Sequence, residues 1–164
     1  MIRLAAIAAA ALALGGCQLQ PLYAGGAGGP VATTLSSVSV GPIEGQAGWF
    51  VYNDLKQRLA SEGTARYRLD VKLDDNITGL GIRGDRAVTR ERRALRARYQ
   101  LVDLGTGAVV LDATAGSDAG IDVVSSEYAT VAAEQTALER LSEAVADQIV
   151  ARLGLYAART KPAQ

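Results

Sequence analysis

Two neighbouring segments of the chain alternate between apolar and charged residues, and this alternation limits the possible folds more than any other feature of the sequence. In Arg66 to Ile77 the apolar side chains have odd numbers, and most even-numbered positions are charged. Thr89 to Val102 repeats the pattern, with arginines at four of the even positions. Because successive side chains of a β-strand point to opposite faces of a sheet, both segments are predicted to be strands with one buried side.

Other segments have the periodicity of a strand or a helix. Thr33 to Val40 and Ala108 to Ala115 are predicted to be short strands, the second one following a glycine-containing turn. Trp49 to Ala60 has its apolar residues at helical spacing and is predicted to be an amphipathic helix. Two glycine-containing segments are predicted to be loops: Thr78 to Ile82 and Gly116 to Gly120.

The longest predicted element is a C-terminal helix. It is expected to begin at Ser125 or Ser126, whose hydroxyl caps the first turn, and to end at Gly154. The order strand, helix, three strands, helix places both helices on the apolar side of a four-stranded mixed sheet, with the first two strands parallel. The predicted fold class is therefore α+β, a two-layer sandwich with the order β-α-β-β-β-α.

The N-terminus indicates export and lipid attachment. Arg3 is followed by an apolar run, Leu4 to Leu14, that suits a signal peptide and is too short to cross a bilayer. Cys17, the only cysteine, follows two glycines. This arrangement resembles the lipobox of bacterial lipoproteins, in which the cysteine becomes the first mature residue and is acylated. Gln18, in place of an aspartate, implies by the same resemblance an outer-membrane location.

The chain is predicted to divide into four parts. Residues 1–16 form the signal peptide, and residues 17–32 form the lipidated cysteine with a glycine-rich tether. Residues 33–156 are long enough for a single sandwich domain with its own core. Residues 157–164 are predicted to be a disordered tail.

Composition excludes several classes of function. Basic and acidic residues number 17 each, so no net charge attracts nucleic acid. Without histidine, and with its one cysteine assigned to lipid, the chain has neither the usual transition-metal ligands nor a nucleophile–histidine pair. Asp74 and Asp75 are adjacent on a predicted strand, so their carboxylates point apart and cannot share acid–base work. The chain is therefore predicted not to be an enzyme and to bind no metal or cofactor.

The second alternating segment and the loop before it contain an unusual concentration of arginine. Between positions 83 and 98 there are seven arginines against two acidic residues, a local surplus of five positive charges. The arginines are Arg83, Arg86, Arg90, Arg92, Arg93, Arg96 and Arg98. Guanidinium groups bind phosphate in a bidentate manner, so an anionic ligand is one explanation and an acidic protein surface is another. Leu80 and Ile82 would make the tip of this hairpin amphiphilic.

A simpler interpretation is that the arginines only form surface ion pairs. Asp70 and Asp74 on the neighbouring strand could pair with Arg92 or Arg96, and each exposed pair would contribute less than about 1 kcal/mol. Such pairs explain part of the arginine stripe but leave the surplus of positive charge in the hairpin unexplained.

Three stretches of the sequence resemble the LptE family of lipopolysaccharide-assembly lipoproteins. They are CQLQPLYA at the mature N-terminus, RLDVKLDDNITGLGIRGDRAVTRERRALRARYQLVDLGTGAVV, and SSEYATVAAEQTALERLSEAVADQIVARL. The resemblance covers essentially the whole mature chain and rests on layout and diffuse patterns.

The resemblance implies a function and partners. Proteins of this family sit inside a large outer-membrane β-barrel, the lipopolysaccharide translocon LptD, as plug and assembly partner, and bind lipopolysaccharide. The hairpin from Ile77 to Arg93 is where we expect the ligand or the barrel to make contact, with Leu80 and Ile82 facing the barrel. The alternative is another envelope-assembly lipoprotein whose arginine-rich hairpin binds an acidic protein partner.

Overall fold

A computed structural model describes residues 29–59, 63–82 and 88–160 of the chain. Within these residues the helices are α1 (Pro30–Ser36), α2 (Gly45–Leu59) and α3 (Glu127–Arg159). The strands are β1 (Val38–Val40), β2 (Tyr67–Ile82), β3 (Val88–Asp103) and β4 (Val109–Asp122).

The four strands form one sheet in the order β1-β2-β3-β4. β1 is parallel to β2, and the pairs β2–β3 and β3–β4 are antiparallel. Both long helices pack on one side of this sheet, where they share a hydrophobic core with the odd-numbered residues of β2 and β3. The predicted fold class, an α+β sandwich with a mixed four-stranded sheet, is therefore confirmed.

The core follows from the alternating pattern of the two central strands. Leu69 of β2 and Leu95 of β3 are completely buried, whereas the even-numbered residues between them reach solvent. From the helix layer, Leu55 and Leu138 are also completely buried. Since burying one leucine side chain contributes about 1.5–3 kcal/mol, this layer of side chains is what holds helices and sheet together.

The two long helices run side by side in the same direction. Gln46 at the start of α2 donates a hydrogen bond to Gln135 of α3 (3.0 Å), and Arg58 at its end forms ion pairs with Glu143 and Asp147. Because α3 begins at residue 127, its first two turns extend beyond the start of α2.

The segment predicted as a strand from Thr33 begins instead with helix α1. Pro30 occupies the first turn, where a missing N–H costs nothing, and the hydroxyls of Thr33 and Thr34 hydrogen-bond to carbonyls four residues earlier. Val31 and Leu35 are buried in the core. Ordered structure therefore begins before residue 33, inside the stretch predicted to be tether.

Two segments predicted as loops belong to strands. Thr78 to Ile82 continues β2, and Gly116 to Gly120 lies within β4. Glycine lowers strand propensity, but here it makes room for a neighbour: a Cβ on Gly116 would lie 2.6 Å from Cδ of Arg96. The strands β2 and β4 are therefore longer than the sequence indicated.

The C-terminal helix continues past Gly154, where it was predicted to end. Gly154 and Ala157 are buried, and Tyr156 packs edge-on against Tyr67 with ring centroids 6.3 Å apart. This burial in the core, together with the contact between Tyr156 and β2, stabilises the helix as far as Arg159, into the stretch predicted to be a disordered tail. Among the described helices, α3 included, none is long and apolar enough to cross a membrane.

Candidate functional site

The side of the sheet away from the helices carries the even-numbered residues of β2, β3 and β4, and we call it the charged face. The alternation places it there, because the same strands direct their odd-numbered side chains into the core. The face is crossed by rows of arginine and aspartate, and its residues are mostly exposed.

Most arginines of the charged face are paired with aspartates of β4. Arg96 donates to Asp118 (2.9 Å) and Arg98 to Asp112 (3.0 Å), and Arg90 lies 3.2 Å from a carboxylate oxygen of Asp122. On β2, Arg68 pairs within its own strand with Asp70 (2.9 Å). Because these pairs are exposed to solvent, each contributes little to stability, but together they neutralise most of the charge on the face.

The predicted pairing of Asp70 and Asp74 with Arg92 or Arg96 is wrong. The register does place Asp74 opposite Arg96, but the Arg96 side chain lies over Gly116 and bonds to β4 instead. Asp112, Asp118 and Asp122 were missed as partners. Their even numbers would have placed these aspartates on the charged face beside the arginines. That prediction required knowing that Gly116 to Gly120 is part of a strand.

Two cations and one anion remain without a charged partner. Over the described parts of the charged face, Lys72, Arg92 and Asp74 each have no oppositely charged group within 4.0 Å. Arg92 lies opposite Thr78, in the half of the hairpin near its tip. Of the arginines predicted to bind an anion and described by the structure, Arg92 is thus the one with its guanidinium free.

The pairing with Arg98 also affects the charge state of Asp112. The hydrogen bond from Arg98, and then that from Gln100, hold the pKa of Asp112 below its usual value of 3.8. The same contact with Asp112 raises the pKa of Arg98. Both groups therefore stay charged at any physiological pH.

Arg93 lies on the opposite side of the sheet from Arg90, Arg92, Arg96 and Arg98. Its residue is 8% exposed, and its guanidinium donates to both carboxylate oxygens of Asp75 (2.8 and 2.6 Å) and to the backbone carbonyl of Glu134 (2.9 Å). The hydrogen bonds to Asp75 raise the pKa of Arg93 although burial opposes this. Arg93 therefore joins β2, β3 and α3, and its odd number already distinguishes it from Arg92.

The remaining predicted site residues are only partly described. Leu80 is 40% exposed near the end of β2, and Ile77 close by is 41% exposed, so the hairpin does present apolar groups near its tip. Arg83, Arg86 and the side chain of Ile82 lie outside the described residues, as does Cys17.

Two open depressions border the charged face. A hollow of about 610 Å³ lies over β3 and is lined by residues that include Lys72, Asp74, Arg96 and Arg98. A cleft of about 750 Å³ lies beside β2, between Asp70–Leu73 and Pro42–Glu44. No group of three potential metal ligands occurs in the described part of the chain.

Solved structures of bacterial lipoproteins share this fold. A lipoprotein from Caulobacter crescentus CB15 is 27% identical, with a TM-score of 0.66, and the match covers 82% of this chain and 100% of that one. The minor lipoprotein of Acinetobacter baumannii (13% identity, TM-score 0.57) matches over 73% of this chain and 90% of its own. Rare lipoprotein B of Shewanella oneidensis (12% identity, TM-score 0.55) matches over 76% and 98%.

The sequence itself identifies the family. Comparison with curated protein sequences finds no relative. The LptE family, described as Lipopolysaccharide-assembly, matches residues 35–153, which include everything from the end of α1 to the last turns of α3. The chain belongs to the LptE family, a family of lipopolysaccharide-assembly lipoproteins and not of enzymes.

Proposed function

We propose that this protein is an outer-membrane lipoprotein that assembles with the lipopolysaccharide-translocon barrel LptD, plugs it, and binds lipopolysaccharide during delivery to the outer leaflet. Membership of the LptE family is the observation that carries this proposal. The charged face supports it, because a wide polar surface left uncovered by the protein's own helices suits the polar interior of a large β-barrel.

The end of the hairpin is the part that best suits lipopolysaccharide. Arg92 has a guanidinium without an acidic partner in the described part of the chain, and such a group can bind a phosphate through two hydrogen bonds. Exposed Leu80 lies on the neighbouring strand and on the same face as Arg92, whereas Ile77 lies on the opposite face. A phosphate-binding cation beside an apolar side chain matches an amphiphilic ligand with a phosphorylated head.

Acylation of Cys17 would tether the domain from the end opposite this tip. Helix α1 leads into β1, which pairs with the first residues of β2, whereas the tip lies at the end of that 16-residue strand. At about 3.3 Å per residue, the two ends of the strand are roughly 50 Å apart. The lipid would thus hold one end of the domain at the membrane while the barrel receives the other.

Affinity purification of the full-length lipoprotein from solubilised membranes tests this function. We expect a large lipopolysaccharide-transporting β-barrel to co-purify with it. A Cys17→Ser variant should lose its acyl chain yet still recover the barrel, because the protein–protein contact is the main attachment. Recovery of a different, acidic envelope protein in place of the barrel would support the alternative function and refute this one.

Charge reversal at Arg92 is predicted to weaken lipopolysaccharide binding. Replacing this free guanidinium with a carboxylate, as Arg92→Glu, removes a charge-assisted contact and adds repulsion, so we expect at least about a tenfold rise in Kd. The measurement is binding of purified lipopolysaccharide to the purified protein by titration calorimetry.

The matched control for Arg92→Glu is Lys56→Glu. It changes the net charge equally, but Lys56 is exposed on α2, in the helix layer. Its Kd should stay within about twofold of wild type. Equal loss of affinity in both variants would mean that only net charge matters.

A further inference from the structure

The outer edge of β2 lacks a neighbouring strand over most of its length. β1 pairs only with Tyr67, Arg68 and Leu69, whereas β2 continues to Ile82. From Asp70 onward, no described strand lies on that side. An uncovered strand edge of this length is a template for pairing with another chain, and natural proteins usually block such edges.

The hydrogen bonds show which backbone groups face this edge. The carbonyl of Leu69 accepts from the N–H of Gly41 beyond β1, so odd-numbered residues of β2 direct their amides outward. The register with β3 has no irregularity, so the alternation continues along the strand. The N–H and C=O groups of Val71, Leu73, Asp75 and Ile77 therefore point to the free edge. None has a backbone partner there among the described residues.

The opposite edge of the sheet, in contrast, is blocked at its centre. The side-chain amide of Gln148 on α3 accepts from the N–H of Gly116 and donates to its carbonyl, both at 3.1 Å. This side chain reproduces the hydrogen bonds that a neighbouring strand would make to β4. One edge of the sheet is therefore blocked and the other is open. Because natural proteins usually block exposed strand edges, the open edge of β2 indicates a binding role.

The surroundings of the open edge define what could pair with it. The 750 Å³ cleft is lined by Asp70–Leu73 and by Pro42–Glu44, which follow β1 in the chain, and it extends to Arg98 and Gln100 on the charged face. On the charged face, Lys72 and Asp74 have no ionic partner in the described structure. On the helix side, half-buried Leu73 and exposed Ile77 offer apolar surface. To match this edge, an added strand would need an acidic residue facing Lys72 and a basic residue facing Asp74, two positions apart on one face. Its other face would carry apolar residues.

We propose that the barrel partner adds an extended segment with this alternating charged and apolar pattern to the free edge of β2, between Val71 and Ile77. The proposal rests on the proposed function, because it specifies how that partner is bound. Backbone hydrogen bonds would provide the attachment, and the opposite charges facing Lys72 and Asp74 would fix the register.

Hydrogen exchange measured residue by residue distinguishes strand addition from other contacts. The full-length lipoprotein is compared alone and in complex with the co-purified barrel. In the complex, the amides of Val71, Leu73, Asp75 and Ile77 should exchange at least about tenfold more slowly, because they gain hydrogen-bond acceptors. The even-numbered amides between them are already bonded to β3 and should change little. The outward amides of β4 serve as the internal control.

A proline substitution tests the same edge by binding. Ile77→Pro removes one outward N–H without touching the β2–β3 ladder, a position where strands tolerate proline. Thr114→Pro makes the equivalent change on the outer edge of β4. Recovery of the barrel should fall at least about tenfold with Ile77→Pro and stay unchanged with Thr114→Pro. If circular dichroism shows that Ile77→Pro is misfolded, Asp74→Lys provides the second variant, with the same expected direction.

The outcomes separate this inference from the function on which it rests. Co-purification of the barrel without protection of the outward β2 amides, and with equal recovery for all variants, would overturn strand addition and leave the proposed function intact. Failure of the wild-type protein to recover the barrel would overturn both.

Discussion

Replacing Arg93 with alanine is expected to lower the free energy of unfolding by about 3 kcal/mol, because it leaves the partly buried Asp75 carboxylate without its counter-ion. The Arg93 side chain is 10% exposed and that of Asp75 26%, so solvent can replace the lost hydrogen bonds only in part. The carbonyl of Glu134 on α3 also loses its donor. Urea unfolding of the purified soluble domain, followed by circular dichroism, measures the change.

The neighbouring arginine supplies the control. Arg92→Ala removes the same type of side chain one residue away, but from the charged face, where Arg92 has no acidic partner in the described structure. Its effect on unfolding should be within about 0.5 kcal/mol. The double variant Arg93→Met with Asp75→Leu should regain much of the lost stability, since no unpaired charge remains. A similar small effect for Arg92→Ala and Arg93→Ala would contradict the buried ion pair.

Truncating Leu138 to alanine is expected to destabilise the domain by about 3–4 kcal/mol, because it removes apolar atoms from the core and leaves a cavity. Leu138 is completely buried in α3, within the cluster that joins this helix to α2 and the sheet. For a domain of this size, the loss corresponds to a fall in Tm of roughly 10 °C, which differential scanning calorimetry measures.

A second leucine of the same helix provides the comparison. Leu155 is 42% exposed, so Leu155→Ala removes the same atoms while much of the side chain is already in water. We expect a loss below about 1 kcal/mol. If the two variants unfold at the same temperature, Leu138 does not occupy the core position that the structure gives it.

The alternating pattern was sufficient to predict the sheet and its sidedness. Odd-numbered Tyr67, Leu69 and Leu95 are buried as expected, and the two long helices cover that side. The same parity would have separated Arg93 from Arg92, but grouping arginines by their proximity in sequence obscured it. Local periodicity therefore identifies the face on which a residue lies better than clustering along the chain does.

The ion pairs and the element ends depended on contacts between distant segments. The pairing of Arg96 with Asp118 requires the register of β4, which includes an irregularity between Leu101 and Val102 that no local pattern shows. In the sequence Gly116 is typical of a loop, and only its contacts with Arg96 and Gln148 explain why a glycine lies within β4. The extension of α3 past Gly154 likewise depends on packing against the sheet, which the sequence alone does not reveal.

The ion pairs between β3 and β4 all have the same orientation. In each of the three, the guanidinium comes from β3 and the carboxylate from β4, so the face is positive along its middle and negative towards one side. If the sheet is rotated by 180° about the axis perpendicular to it, the positive and negative rows no longer fall on their original positions. A partner with complementary rows of charge would accept it in one rotational setting and repel it in the other. The rotational setting of the domain against such a partner would therefore come from this lateral polarity.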